Sequence, residues 1–242
     1  MTSVPGAARP AMSRNREDDA AAVRVRDLDG RDVENSAGLH AGVLDMEFIA
    51  RLGPSFLRCY HRAWIDSPVA LALAADDSSG RLAGVLLGSL DPAVQVSSML
   101  RRHGPALALH ICLAASSRPR LAANLVRTRL VRYARGLARF AVASARPRRK
   151  EATRGAGGGV FGGSGEVTHL FVDPSRRGEG VGRALLDEAA RRARAAGLVE
   201  LELVTPPDLA ARRFYERVGW QETGELTSRS GEVFIRYRLP VG

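Results

Sequence analysis

The chain has 242 residues and a net charge of +10, carried almost wholly by arginine, since Lys150 is the only lysine. That length allows one large domain or two small ones, with a sizeable buried core. Two widely separated cysteines, Cys59 and Cys112, exclude a disulfide framework or a cysteine zinc site, and no apolar run reaches transmembrane length.

The opening "MTSVPGAARPAMSRNREDDA" has no apolar h-region, so it does not read as a signal peptide. Residues 1–20 read as a disordered tail on a cytoplasmic protein. "AVRVRDL" (22–28) alternates apolar and charged residues as a half-buried strand does. "AGVLDMEFIARLGPSFLRCYHRAWIDSP" (41–68) reads as two helices broken near Gly53-Pro54. "VALALAAD" (69–76) and "RLAGVLLGSLD" (81–91) read as apolar strands joined by the turn "DSSG". Residues 21–91 thus form the first part of an α/β domain.

From Pro92 to Lys150 the chain holds no Asp or Glu and a net charge of +13, which leaves the remainder at −3. "HGPALALHICLAA" (103–115) is nearly all apolar. "LAANLVRTRLVRYARGLARFAVASA" (121–145) is amphipathic. Val126, Leu130, Tyr133, Leu137 and Phe140 lie on one face, and Arg132, Arg135 and Arg139 on the other. This segment, 92–150, reads as a basic helical insertion. Two readings stand: a further helical layer with a solvated arginine face, or docking to an anionic membrane surface on the inner face or to a lipid-linked substrate. Nucleic acid fits poorly, because few aromatics interleave with the charges. Residues 151–165 read as a glycine-rich linker.

"EVTHLFVDP" (166–174) is a strand ended by Pro174, and "VGRALLDEAARRARAAG" (181–197) is a helix. Leu185 and Ala189 share its inner face. Asp187/Arg191 and Glu188/Arg192 are spaced as i,i+4 pairs. "LVELELVT" (198–205) alternates as a strand. The next helix has Ala211, Phe214, Tyr215 and Val218 as its apolar stripe and Gly219 as its end, and "EVFIRYRL" (232–239) is a last strand.

The turn between 172 and 183 is where chemistry is legible. In "SRRGEGVGRALL" (175–186) glycines lie between a strand and a helix start. They let the backbone approach a ligand, while helix N–H groups, the helix dipole and Arg177 and Arg183 supply positive potential. That is a cradle for phosphate or pyrophosphate. The dinucleotide fingerprint fails because Arg183 stands where its last glycine belongs, and no G-K-[ST] ending marks a P-loop.

The stretch Val172 to Gly182, "VDPSRRGEGVG", resembles the coenzyme A pyrophosphate segment V-x-x-x-x-[RQ]-x-x-G-x-[GA] of the GNAT superfamily of acyl-CoA-dependent N-acetyltransferases. "DLAARRFYERVGW" is similar to a second segment of that family. Asp208 stands there where Asn is usual, with Ala211, Tyr215, Glu216, Gly219 and Trp220 in place. The resemblance implies a GNAT fold over 21–91 and 166–242: a mixed, mostly antiparallel sheet with helices on both faces, here with a two-helix insertion between strands 3 and 4. It implies acetyl-CoA as cosubstrate, an amine acceptor, direct attack without an acyl-enzyme, and no metal. It implies contacts to the cosubstrate from Leu170, Phe171, Val172, Arg177, Gly178, Glu179, Gly180, Val181, Gly182, Arg183, Asp208 and Ala211, with the Val172 N–H facing the thioester oxygen. Asp208 keeps an N-cap acceptor but lacks the amide donor.

The resemblance points to Glu166 as the candidate general base, since it stands four residues before Leu170, where several GNAT members carry a catalytic carboxylate; partial burial would raise its pKa toward neutral. The resemblance implies Tyr215 as the candidate general acid, because it matches the family tyrosine near the coenzyme A sulfur, and phenol and thiol pKa values lie close enough for proton transfer. Simple alternation puts His169 on the face opposite Glu166, which makes it the weaker candidate base unless a bulge turns it. The acceptor classes left open are a small amine or amino sugar and a protein amine, with a non-catalytic acyl-CoA-binding module as the other alternative.

Overall fold

The computed structural model describes residues 23–45, 47–117, 163–207, 210–227 and 231–242. Seven strands form one sheet: β1 (Arg24–Asp27), β2 (Ala70–Asp76), β3 (Leu82–Ser89), β4 (Ser164–Val172), β5 (Glu200–Thr205), β6 (Gln221–Thr227) and β7 (Val233–Pro240). Their order is β1-β2-β3-β4-β5-β7-β6, and only β4 and β5 are parallel. The helices are α1 (Val33–Val43), α2 (Pro54–Ile65), α3 (Pro92–Ser117), α4 (Val181–Ala195) and α5 (Ala211–Arg217). This is the mixed α/β sheet expected from the sequence.

Two apolar layers sandwich the sheet. On one face Leu71, Leu73, Val167, Leu201, Leu203 and Tyr237 pack against the α4 stripe Val181, Leu185, Leu186, Ala189 and Ala193. That stripe follows the i, i+4 spacing which puts side chains on one helical face. On the other face Ala72, Ala74, Val85, Leu87 and Phe171 meet Leu28 and Trp64. A third cluster ties Leu52 and Phe56 to Leu107 and Ala114 of α3. Gly84 of β3 brings α4 close to the sheet: a Cβ there would stand 2.8 Å from Val181 Cγ1.

Several sequence expectations shift. The first helix runs Val33–Val43, while residues 44–45 and 47–49 form turns and bends and Ala50–Leu52 a 3-10 turn. Gly38 and Gly42 weaken its intrinsic propensity, and burial of Ser36, Ala37 and His40 holds it instead. The second helix starts where Pro54 predicts, after Gly53 at φ +97°. Strand β6 has no alternating pattern because every residue of it is exposed at the sheet edge.

The acid-free stretch begins as one continuous helix, α3, which passes through Pro105. None of the described helices is long and apolar enough to cross a membrane. The amphipathic segment 121–145, residues 151–162 of the expected linker 151–165 and the tail 1–20 lie outside the described residues, while Ser164 and Gly165 belong to β4, which therefore starts earlier than expected. On α4, Glu188 bonds both Arg191 and Arg192 at 2.7 Å. Asp187 pairs with Arg183 at 3.7 Å in place of the expected Arg191, so the pairing runs back one turn toward the glycine loop.

Candidate active site

The parallel ladder between β4 and β5 is short. Only Ser164, Gly165 and Glu166 pair with Glu200, Leu201 and Glu202. Beyond that point β4 continues to Val172 and β5 to Thr205 without pairing, so the sheet opens between them. Asp173 donates its N–H to Ala83 O of β3 at 2.8 Å. In an antiparallel ladder alternate residues turn to the same neighbour, so the Phe171 N–H also faces β3. The N–H and C=O groups of Leu170 and Val172 therefore face the opening. Phe171 instead contributes its buried ring to the α1/α2 layer.

The glycine turn closes one end of the opening. A 3-10 turn at Pro174–Arg176 follows β4, and the Asp173 carboxylate accepts from the Ser175 N–H at 2.8 Å. Gly178 and Gly180 take φ of +87° and +80°, values that favour glycine. Gly180 caps α4 without any side-chain hydrogen bond, so the first N–H groups of a 15-residue helix point outward unclaimed by a cap. Arg177, Glu179 and Arg183 are exposed around them. Arg176 is tied down instead, to Asp77 of the β2–β3 turn at 2.6 Å. Gly182 has a packing reason: a Cβ there would meet the Phe214 ring of α5 at 3.1 Å and Val172 Cγ2 at 3.7 Å. The uncapped N–H groups, the two left-handed glycines and the free arginine charge fit a pyrophosphate. Ala211 is partly buried at the start of α5. Asp208 lies outside the described residues.

Tyr215 is buried among Phe214, Trp220 and Tyr237, with ring centroids 5.4–6.0 Å away. Burial pushes its phenol up to about 12. The expectation that phenol and thiol pKa values lie close together therefore fails. A phenol near 12 is roughly 3.5 units above an ordinary thiol, a gap of about 5 kcal/mol against full proton transfer. The same shift keeps the hydroxyl protonated as a hydrogen-bond donor.

A β-bulge decides the other half of the site. Leu87 of β3 faces His169 and Gly88 faces Val167, so Thr168 is an extra residue on β4. The alternation reverses across it. Val167 packs with α4, Phe171 and His169 face α1 and α2, and Glu166 falls on the His169 side. The expected separation of Glu166 and His169 on opposite faces is corrected by this one residue. Burial raises the Glu166 carboxyl above its usual value. His169 opposes that shift and Glu202 adds to it. Glu202 is neutralised by Arg238 at 2.9 Å. Among the described residues no cation pairs with Glu166.

Facing β4 from the helical layer is a polar chain that sequence spacing does not show. Tyr60 Oη lies 3.0 Å from His169 Nε2, and His169 Nδ1 lies 3.4 Å from Glu47 Oε2. His40 Nε2 lies 3.4 Å from the same oxygen, His40 Nδ1 lies 2.9 Å from His61 Nε2, and His61 Nδ1 lies 2.9 Å from Ser36 Oγ. The one signal in the sequence was three histidines in otherwise apolar segments, and nothing in their spacing joins 40, 61 and 169.

Comparison with known proteins shows what part of this chain is similar to. Residues 138–241 match the family model described as the acetyltransferase (GNAT) domain. An IAA acetyltransferase of Azospirillum brasilense is 44% identical over 64 residues, a match covering 26% of this chain and 42% of that protein's length. Among solved structures, Ard1 from Thermoplasma volcanium superposes with a TM-score of 0.51 at 15% identity, over 91% of this chain and 98% of that one. A spermidine N-acetyltransferase chimera from Vibrio cholerae gives 0.54 at 13% identity, over 90% and 95%. At such identities the two structures speak for the fold.

Proposed function

We propose, from a chain whose residues 138–241 match the GNAT acetyltransferase domain model, that the opening between β4 and β5 binds acetyl-CoA and that its acetyl group passes directly to a primary amine. The observation that carries this reading is the end of the β4–β5 ladder at Glu166, with the uncapped N-terminus of α4 at the far end of the same opening. The pyrophosphate is held by the Gly178–Gly182 turn and the first N–H groups of α4, with Arg177 and Arg183 adding charge. The thioester carbonyl accepts from the Val172 N–H, and the Leu170 backbone holds the pantetheine arm. These donors are fixed before reaction, so they stabilise the developing oxyanion without reorganisation.

Glu166 takes a proton from the acceptor ammonium, directly or through one water. Its raised pKa and its lack of a paired cation leave it a stronger base than an exposed carboxylate. The neutral amine attacks, the tetrahedral carbon collapses, and the C–S bond breaks. Tyr215 donates a hydrogen bond to the departing sulfur, and the thiolate takes its proton from the nitrogen of the collapsing adduct. The acceptor enters from the side of Glu166 and His169, under α1 and α2. A small amine or amino sugar is the acceptor class proposed.

Thiol release from acetyl-CoA, followed against a panel of polyamines, aminoglycosides, amino sugars and peptide N-termini, tests the reading. A small amine should support turnover. Glu166→Gln should lower kcat by about 10²- to 10⁴-fold with little change in the acetyl-CoA KM. If no amine supports release while acetyl-CoA binds, the domain is a non-catalytic acyl-CoA module. If a peptide alone does, the acceptor class is wrong.

A further inference from the structure

The polar chain beneath α1 and α2 is more specific than a set of buried histidines requires. His40 Nε2 and His169 Nδ1 each stand 3.4 Å from one oxygen of Glu47. That is long for N–H···O, which centres near 2.9–3.0 Å. It equals the edge of a tetrahedron: ligands about 2.0–2.1 Å from a zinc ion lie about 3.3–3.4 Å apart. All three ligand atoms fall within 4.8 Å of one another. His169 Nδ1 is buried, meets no hydrogen-bond criterion and faces this space.

The outer hydrogen bonds fix which nitrogens face inward. If His40 carries its proton on Nδ1, it donates to His61 Nε2. His61 then donates from Nδ1 to Ser36 Oγ, and Ser36 donates to Val33 O. If His169 carries its proton on Nε2, it donates to Tyr60 Oη. Every donor then points away from Glu47, and two imidazole lone pairs converge on an ionised carboxylate. Three acceptors facing one another repel unless a cation lies between them. Hydrogen-bonding the far nitrogen of each histidine is also how metal ligands are oriented.

We propose that His40, Glu47 and His169 bind one divalent first-row transition cation, of which zinc is the fitting member. Two imidazoles and a carboxylate suit zinc and exclude a preference for magnesium or calcium, which take oxygen ligands. Three protein ligands leave a fourth position for water. The ligands come from α1, the turn after it and β4, so the ion clamps the helical layer over the acceptor side of the opening. This site is separate from the acetyl-transfer reading, and its test does not depend on activity.

The full chain is stripped with a chelator, dialysed, and titrated with zinc chloride by calorimetry, with metal content measured by elemental mass spectrometry. One zinc per chain is expected, together with a zinc-dependent rise in Tm. Magnesium chloride should produce neither. Glu47→Gln should weaken zinc binding at least about 100-fold, and Tyr60→Phe, which removes the hydroxyl contact to His169 Nε2, about 10-fold. Glu47 is partly exposed, so Glu47→Gln is expected to fold, which its Tm in chelator checks. A Cys59→Ser/Cys112→Ser chain should bind zinc as the parent does. Less than one zinc in the parent, equal binding in Glu47→Gln, or loss of binding in the cysteine variant would overturn the proposal.

Discussion

Gly88 offers the sharpest test of the bulge that turns Glu166. It sits opposite Val167, and a Cβ added there would lie 2.6 Å from the Glu166 carbonyl oxygen and 3.4 Å from Val167 Cα. Gly88 is not among the positive-φ glycines, so the effect of Gly88→Ala is steric alone. Ordinary contact needs about 3.4 Å, so the strands must part by roughly 0.8 Å. The obstacle is paired backbone, which cannot swing aside as a side chain does. Overpacking costs about 1–3 kcal/mol, and this case belongs at the upper end. With an m-value of about 2 kcal/mol/M, the urea midpoint should fall by about 1.5 M. Acetyl transfer should fall as well, because the displaced peptide carries Glu166.

The control is Gly42→Ala, exposed in α1 with nothing within 4 Å of the new Cβ. It should gain about 0.5–1 kcal/mol from helix propensity. Gly88→Ala with an unchanged midpoint and unchanged turnover would refute the bulge as the feature that orients Glu166.

Three further outcomes follow from the geometry. The rate should rise with pH through the raised Glu166 pKa, and this limb should vanish in Glu166→Gln; a limb that survives assigns it to another group. Arg177→Ala should raise the acetyl-CoA KM about 3- to 5-fold at low salt and less at high salt, because an exposed charge is screened. Arg26 bridges Asp32 and Asp76, each at 2.6 Å. Arg26→Met should cost about 2 kcal/mol by leaving two largely buried carboxylates unpaired. The pH sign is fixed by Asp32, for which burial acts upward but the Arg26 hydrogen bonds and charge prevail and hold it below 3.8. Its stabilisation is full above 3.8 and is lost as pH falls through the lower native value. Acid unfolding curves should therefore be flatter below pH 4 in the variant, and parallel curves would count against the pairing.

The glycine turn and the α4 helix were readable from sequence because both rest on local rules. Glycine alone tolerates φ near +80° at Gly178 and Gly180, Pro174 ends a strand, and the stripe Val181, Leu185, Ala189 repeats at helical spacing. Strand β6 was not readable, since an exposed edge strand needs no apolar alternation. Helix α1 was not readable either, since its glycines conceal what burial of His40 and Ala37 secures. Gly182 was read as room for a ligand, and the structure gives it the Phe214 ring as neighbour.

Two decisions belong to the tertiary structure alone. One extra residue, Thr168, reverses the pleat of β4 and puts Glu166 beside His169. No alternation pattern shows this, because a bulge is defined by the partner strand. The packing of β4 against α1 and the turn after it brings His169, more than a hundred residues on, beside His40 and Glu47. Sequence determines side-chain chemistry and local conformation. Which lone pairs converge on one centre depends on how distant segments pack, and packing sums contacts that no local window contains.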